Sequence, residues 1–130
     1  WQHVIEPLYG YILLLMKIDN KNKNLVNGGW NFGPKKSNNI NVYKVVSILN
    51  RNFENKVKIK VKNKKKNFYK ESDVLKLSSF KSKKSLGWIP KYSIFKSLRL
   101  ISEWEIFYIK NKKELLDFTK RQITNYLNQF

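Results

Sequence analysis

The sequence predicts an α/β fold, rich in helix and short of strands. Three observations predict it. Four stretches place apolar residues at helical spacing. One stretch, residues 57–61, alternates apolar and charged residues with a period of two. The few short strands this yields cannot build a well-covered sheet, because parallel α/β sheets are normally buried on both faces. Residues 1–130 therefore read as a single partial domain whose strands need partners from elsewhere.

The elements follow in chain order. In "IEPLYGYILLLMKIDNKNKN", Ile5, Leu8, Ile12, Leu15 and Met16 fall near the 3.6-residue period, and Pro7 is tolerated in a first helical turn. The polar run from Asp19 ends that helix. "GGWNFGP", residues 28–34, reads as a short strand bracketed by breakers. In "NNINVYKVVSILNRNF", Val42, Val45, Val46, Leu49 and Phe53 share one helical face, with Asn38, Asn39 or Asn41 as the cap. "KVKIKVKNKKKNFYK" then predicts a strand with Val57, Ile59 and Val61 inward and its lysines in water, where they also protect a sheet edge. "SSFKSKKSLGWIP" holds a short helix stopped by Gly87. Ile94, Leu98, Ile101, Trp104 and Tyr108 mark a helix from Ser93. Leu116, Ile123, Tyr126 and Leu127 mark a last one from Lys112.

Composition narrows the function classes. The chain is 42% hydrophobic, with Trp 4, Tyr 7 and Phe 8, enough for a core. Its formal net charge of +18 is the footprint of a polyanion binder. The kind of charge points another way. Arginine occurs only at Arg51, Arg99 and Arg121, whereas base readers favour arginine's planar fork. Lysine and asparagine excess with little alanine matches drift toward A/T-rich codons. Cysteine is absent and His3 is the lone histidine, which leaves poor material for a zinc site or a Ser-His-acid set. The apolar run at residues 11–16 is too short to cross a bilayer. Gly10, Gly28, Gly29, Gly33 and Gly87 make no dinucleotide or Walker spacing, and no Tyr-x-x-x-Lys pair stands in a strong functional context. No catalytic, cofactor-binding or metal residue emerges.

Five segments carry a resemblance: "WQHVIEPLYGYILLLMK", "WNFGP", "ESDVLKLSSFKSKKSLGWIPKY", "EW" at Glu103 and Trp104, and "FTKRQITNYL". In this order they resemble the C-terminal part of CDP-glucose 4,6-dehydratases, which are extended short-chain dehydrogenase/reductases of the NAD-dependent epimerase/dehydratase family. "LGW" and "WNFG" are shared more widely among such enzymes that act on nucleotide sugars. The resemblance implies the C-terminal substrate-binding lobe without its Rossmann core. In the family's full enzyme, NAD takes a hydride from C4 of the sugar, water leaves across C5–C6, and the hydride returns at C6. The NAD site and the catalytic Tyr-x-x-x-Lys pair belong to the absent half, so NAD is expected of the full enzyme and not of this chain alone. Family members are dimeric, and their setting is cytoplasmic.

The resemblance also implies substrate-binding residues. Trp1, Gln2 and His3 match a segment that follows a substrate-facing arginine. Asn31 matches an asparagine that contacts the nucleotide half of the substrate, and Glu71 matches a glutamate in the loop closing over it. Three positions depart from the pattern: Lys70 and Asp73 stand where the family has histidines flanking that glutamate, and Ser78 replaces an aspartate. Each candidate also has a plain reading: His3 as a half-buried polar residue, Asn31 as a turn residue, Glu71 as a solvated charge, and Lys64, Lys65 and Lys66 as a solvated loop.

The expected function is thus the C-terminal fragment of a nucleotide-sugar 4,6-dehydratase, inactive alone, whose partners are a nucleotide-diphosphate sugar and the missing Rossmann half. The abrupt start at Trp1 fits a piece of something longer. One alternative is a nucleic-acid module that stacks bases on Phe68 and Tyr69 beside the lysines, which the scarcity of arginine opposes. Another is a truncated gene product with no activity.

Overall fold

The computed structural model describes residues 1–19, 27–61 and 77–130. Among these residues the α-helices are α1 (Ile5–Asp19), α2 (Val42–Asn52), α3 (Phe80–Leu86), α4 (Ile94–Lys110) and α5 (Leu115–Leu127). Short 3-10 turns, Lys36–Asn38 and Lys112–Glu114, lead toward α2 and into α5. All four helical stretches and the short helix before Gly87 appear where the apolar spacing puts them. Asn41 is the cap of α2, its Oδ1 accepting from Lys44 N at 2.8 Å. Ser93 caps α4 in the same way, at 3.2 Å. Gly87 ends α3 with φ +68°, the left-handed geometry that a helix C-terminus readily gives to glycine.

The expected strands do not form, so the α/β class becomes a helical one: no strand occurs among the described residues. Period two predicts which faces a strand would show, yet it cannot supply a neighbour to pair with. Val57 and Val61 lie 57% and 70% exposed, and Val57 N finds its acceptor in Asn50 Oδ1 at 3.0 Å rather than in a ladder. Residues 28–34 are ordered by other means. Gly33 N donates to Ser79 Oγ at 2.7 Å, Ser82 Oγ donates to the Asn31 carbonyl at 2.6 Å, and Gln2 Nε2 donates to the Phe32 carbonyl at 2.7 Å. Side chains therefore satisfy the backbone groups that a sheet would otherwise have paired.

Two clusters make the core. In the first, Val45 and Ile48 of α2 meet Ile94 and Leu98 of α4, with Ile40 and Leu49 at the edge. Burying aliphatic side chains of this size contributes about 1.5–3 kcal/mol each. The buried stripe of α2 differs from the expected one, since Ile48 is inside and Val42 is 61% exposed. In the second cluster, Tyr92, Leu100 and Tyr126 collect Ile5 and Tyr9 of α1. Phe32 and Trp88 add a buried aromatic pair, edge to face at 5.1 Å. α5 closes on α4 through Phe107 and Phe118, stacked at 4.3 Å, and through Trp104 Nε1, which donates to Thr119 Oγ1 at 2.9 Å.

α1 turns an unexpected face inward. Glu6 and Gly10 are buried, whereas Leu8, Ile12, Leu15 and Met16 are exposed. Of the five apolar residues that mark the helix, Ile5 alone packs on a core cluster. Gly10 permits the approach: a Cβ there would stand 2.3 Å from Phe32 Cδ1.

Candidate functional site

Three of the five expected substrate residues sit at the mouth of α1: Trp1 and Gln2 reach residues 40 and 32, whereas His3 faces Tyr92 and lines a groove between α1, α4 and α5. Trp1 Nε1 donates to the Ile40 carbonyl at 2.9 Å, and the Trp1 side chain remains half in solvent. Gln2 reaches the Phe32 carbonyl, one residue from Asn31. Among the described residues its other amide atom, Oε1, is buried without a hydrogen-bond partner. Such an acceptor is costly to leave unmade and is rare in folded proteins. His3 Nδ1 accepts from Ile5 N at 3.2 Å, so the histidine serves the first turn of α1 as a capping acceptor. Burial holds its pKa below the ordinary histidine value, and the Glu6 carboxylate works against that shift. Asn31 is exposed, and its backbone carbonyl is held by Ser82. Glu71, together with Lys64, Lys65, Lys66, Phe68, Tyr69, Lys70 and Asp73, lies outside the described residues.

Glu6, which no sequence motif singles out, has the densest set of partners near this mouth. Its side chain is 1% exposed. Oε1 accepts from Tyr92 N at 2.6 Å and from Lys91 N at 2.9 Å; Oε2 accepts from Tyr126 Oη at 2.7 Å and from Lys91 N at 3.0 Å. The Glu6 carbonyl accepts from Trp88 Nε1 at 3.0 Å. A buried carboxylate is tolerable only with such a full set of donors. One residue thereby joins α1, the turn before α4 and the end of α5. Burial and the bond to Glu6 push the Tyr126 phenol well above its usual range, and burial raises Tyr92 as well. The signal available in the sequence was a carboxylate in the first turn of an apolar helix, which reads equally well as a favourable charge near a helix N-terminus.

Three of the five glycines have structural duties in place of a dinucleotide cradle. A dinucleotide cradle opens glycines onto a helix N-terminus. Here Phe32 fills the space at Gly10, Gly33 is packed against Leu77 and Ser79, and Gly87 ends a helix. Two Tyr-x-x-x-Lys spacings do occur, Tyr92 with Lys96 and Tyr108 with Lys112. Tyr92 lies before α4 with its phenol raised by burial, the opposite of what a proton-abstracting tyrosine needs. Tyr108 stacks on Trp104, with Lys112 over its ring. Among the described residues no group of acidic, histidine or cysteine side chains could hold a metal ion, and no helix is long and apolar enough to cross a membrane.

Comparison with known proteins adds one relative. The chain is similar to CDP-glucose 4,6-dehydratase of Salmonella typhimurium, 29% identical over 128 residues. The match covers 98% of this chain and 34% of that protein, so the chain spans about a third of its relative's length. No family model matches the chain.

Proposed function

We propose that this chain is the sugar-nucleotide-binding lobe of a 4,6-dehydratase acting on a nucleotide-diphosphate sugar of the CDP-glucose kind. The similarity along 98% of the chain to a protein of that activity carries the reading. The arrangement at the mouth of α1 supports it. Trp1 offers an exposed indole face on which a base or sugar can stack. Gln2, half-buried, holds the Phe32 carbonyl next to Asn31 and so fixes the wall of that mouth. Asn31 and Glu71 complete the set by family resemblance.

On this reading the lobe binds and orients, and hydride transfer belongs to a cofactor-holding portion carried elsewhere. The outer side of the lobe suits such a partner. Leu8, Ile101, Trp104 and Ile123 line an apolar groove of about 450 Å³ between α1, α4 and α5. Ile12 and Leu15 extend the exposed apolar surface along α1. Burying that surface against a second body would supply the driving force for assembly.

The test has two arms. The chain alone, given CDP-glucose and NAD, is expected to yield no 4-keto product. Mixed with a polypeptide that supplies the first two thirds of the Salmonella relative, it is expected to yield product, and Gln2→Ala is expected to raise KM. Turnover by the chain alone would refute the division of labour. Micromolar binding to a random oligonucleotide with a steep salt slope, and none to CDP-glucose in the mixture, would favour a nucleic-acid module instead.

A further inference from the structure

Lysine is abundant in this chain, yet the fold treats four of its lysines differently. Among the described residues, Lys35, Lys81, Lys91 and Lys96 are half-buried, and every other described lysine is exposed. Codon drift accounts for lysines in water; it does not account for lysines drawn partly out of it. Lys81 is occupied locally. Its Nζ donates to the Asn27 carbonyl at 2.8 Å and to the Gly29 carbonyl at 3.3 Å, and lies 4.2 Å from the centroid of Trp30. The other three line one cavity of about 490 Å³ between the turn before α4, the body of α4 and the end of α5.

The rest of the lining mixes polar groups with Leu100 and the Tyr92 ring. Gln122, Asn125 and Gln129 of the α5 region contribute amides, and no carboxylate is among the lining residues. The three ammonium groups have partial partners. Lys35 Nζ donates to the Lys91 carbonyl at 2.9 Å, Lys91 Nζ lies 4.3 Å from the centroid of Phe130, and Lys96 Nζ lies 5.9 Å from that of Tyr92. Carbonyl and ring contacts leave the positive charge uncancelled. Glu6 is not among the lining residues and spends its oxygens on Lys91 N, Tyr92 N and Tyr126 Oη. Three like charges around a half-enclosed space repel, and an anion of matching charge relieves the repulsion while taking hydrogen bonds from ammonium and amide alike.

We infer that this cavity is a binding site for a small phosphate-type polyanion, with Lys35, Lys91 and Lys96 as the charge and Gln122, Asn125 and Gln129 as hydrogen-bond donors. Trp1, Gln2, His3 and Asn31 do not line it, so the site stands apart from the proposed sugar-nucleotide mouth and does not depend on that reading.

Calorimetric titration of the full 130-residue chain with inorganic pyrophosphate tests the inference. Saturable binding is expected, weakened at least about tenfold in the triple variant Lys35→Gln, Lys91→Gln, Lys96→Gln, which corresponds to about 1.4 kcal/mol. The triple variant Lys83→Gln, Lys84→Gln, Lys113→Gln removes the same charge from exposed positions and is expected to bind as the parent does. Equal weakening in both would reduce the effect to bulk charge and overturn the site. Should the first triple fail to fold, NMR of the parent chain decides. Pyrophosphate is expected to shift the side-chain amides of Gln122, Asn125 and Gln129. Shifts spread over the exposed lysines with those amides unmoved, or no binding at all, would overturn it.

Discussion

The two sides of α1 are built on opposite rules. The side turned inward holds, beside Ile5 and Tyr9, a carboxylate and a glycine, Glu6 and Gly10. The side turned outward holds Leu8, Ile12, Leu15 and Met16. An ordinary surface helix does the reverse. The inner side succeeds because it is fully satisfied: four donor contacts reach the Glu6 carboxylate, and the Phe32 ring occupies the space a side chain at Gly10 would take. On the outer side Leu8, Ile12 and Leu15 stay exposed among the described residues. The contrast teaches that an apolar stripe marks a surface to be buried, without saying that this chain alone buries it.

The contrast can be broken most severely at Glu6. Glu6→Ala removes the acceptor from Lys91 N, Tyr92 N and Tyr126 Oη together, and is expected to cost about 3 kcal/mol or more in chemical denaturation. A loss below about 1 kcal/mol would show the inner side to be ordinary packing. Gly10→Ala comes next. The added methyl must displace the Phe32 ring, and overpacking of this kind costs about 1–3 kcal/mol. The gain in helix propensity returns about 1 kcal/mol, so a modest net loss is expected, relieved by Phe32→Leu in the double variant.

His3 gives a smaller, pH-dependent effect. Its folded pKa lies below the ordinary value of 6.5, so the unfolded chain takes up the proton first as pH falls. The stability that neutral His3 contributes is present above pH 6.5 and is lost as the pH drops through that value toward the folded pKa. Thermal midpoints measured from about pH 7.5 downward are expected to decline less steeply in His3→Gln; identical slopes would count against the burial of His3. The smallest effect on stability is expected on the outer side. Ile12→Lys with Leu15→Lys should leave the chain's stability within about 0.5 kcal/mol of the parent. The same double variant should impair product formation in the two-polypeptide mixture. If it destabilises the chain strongly while leaving that assembly intact, the outer side is core and not interface.

Helices were legible because their signals are local. Asn41 and Ser93 cap, Gly87 stops, and Ile94 with Leu98 repeats, whatever lies beyond the segment. Residues 57–61 were misread because a strand is completed by a neighbour, and alternation at Val57, Ile59 and Val61 says nothing of whether one is there. The candidate site was not legible from pattern alone. Trp1, Gln2, His3 and Asn31 came from family resemblance, and the fold sets Gln2 beside residue 32. Glu6 escaped because its donors lie at residues 91, 92 and 126, far away in the chain.

What the sequence by itself determined is the run of helices, their caps and stops, and a surplus of positive charge. What only the tertiary structure decided is which side of α1 turns inward, which lysines gather around a cleft, and whether a period-two segment pairs. The physical reason is distance along the chain. Caps and periodicity act within a turn or two, whereas burial of Glu6, closure of the lysine cavity and pairing of a strand all require groups brought together from remote segments.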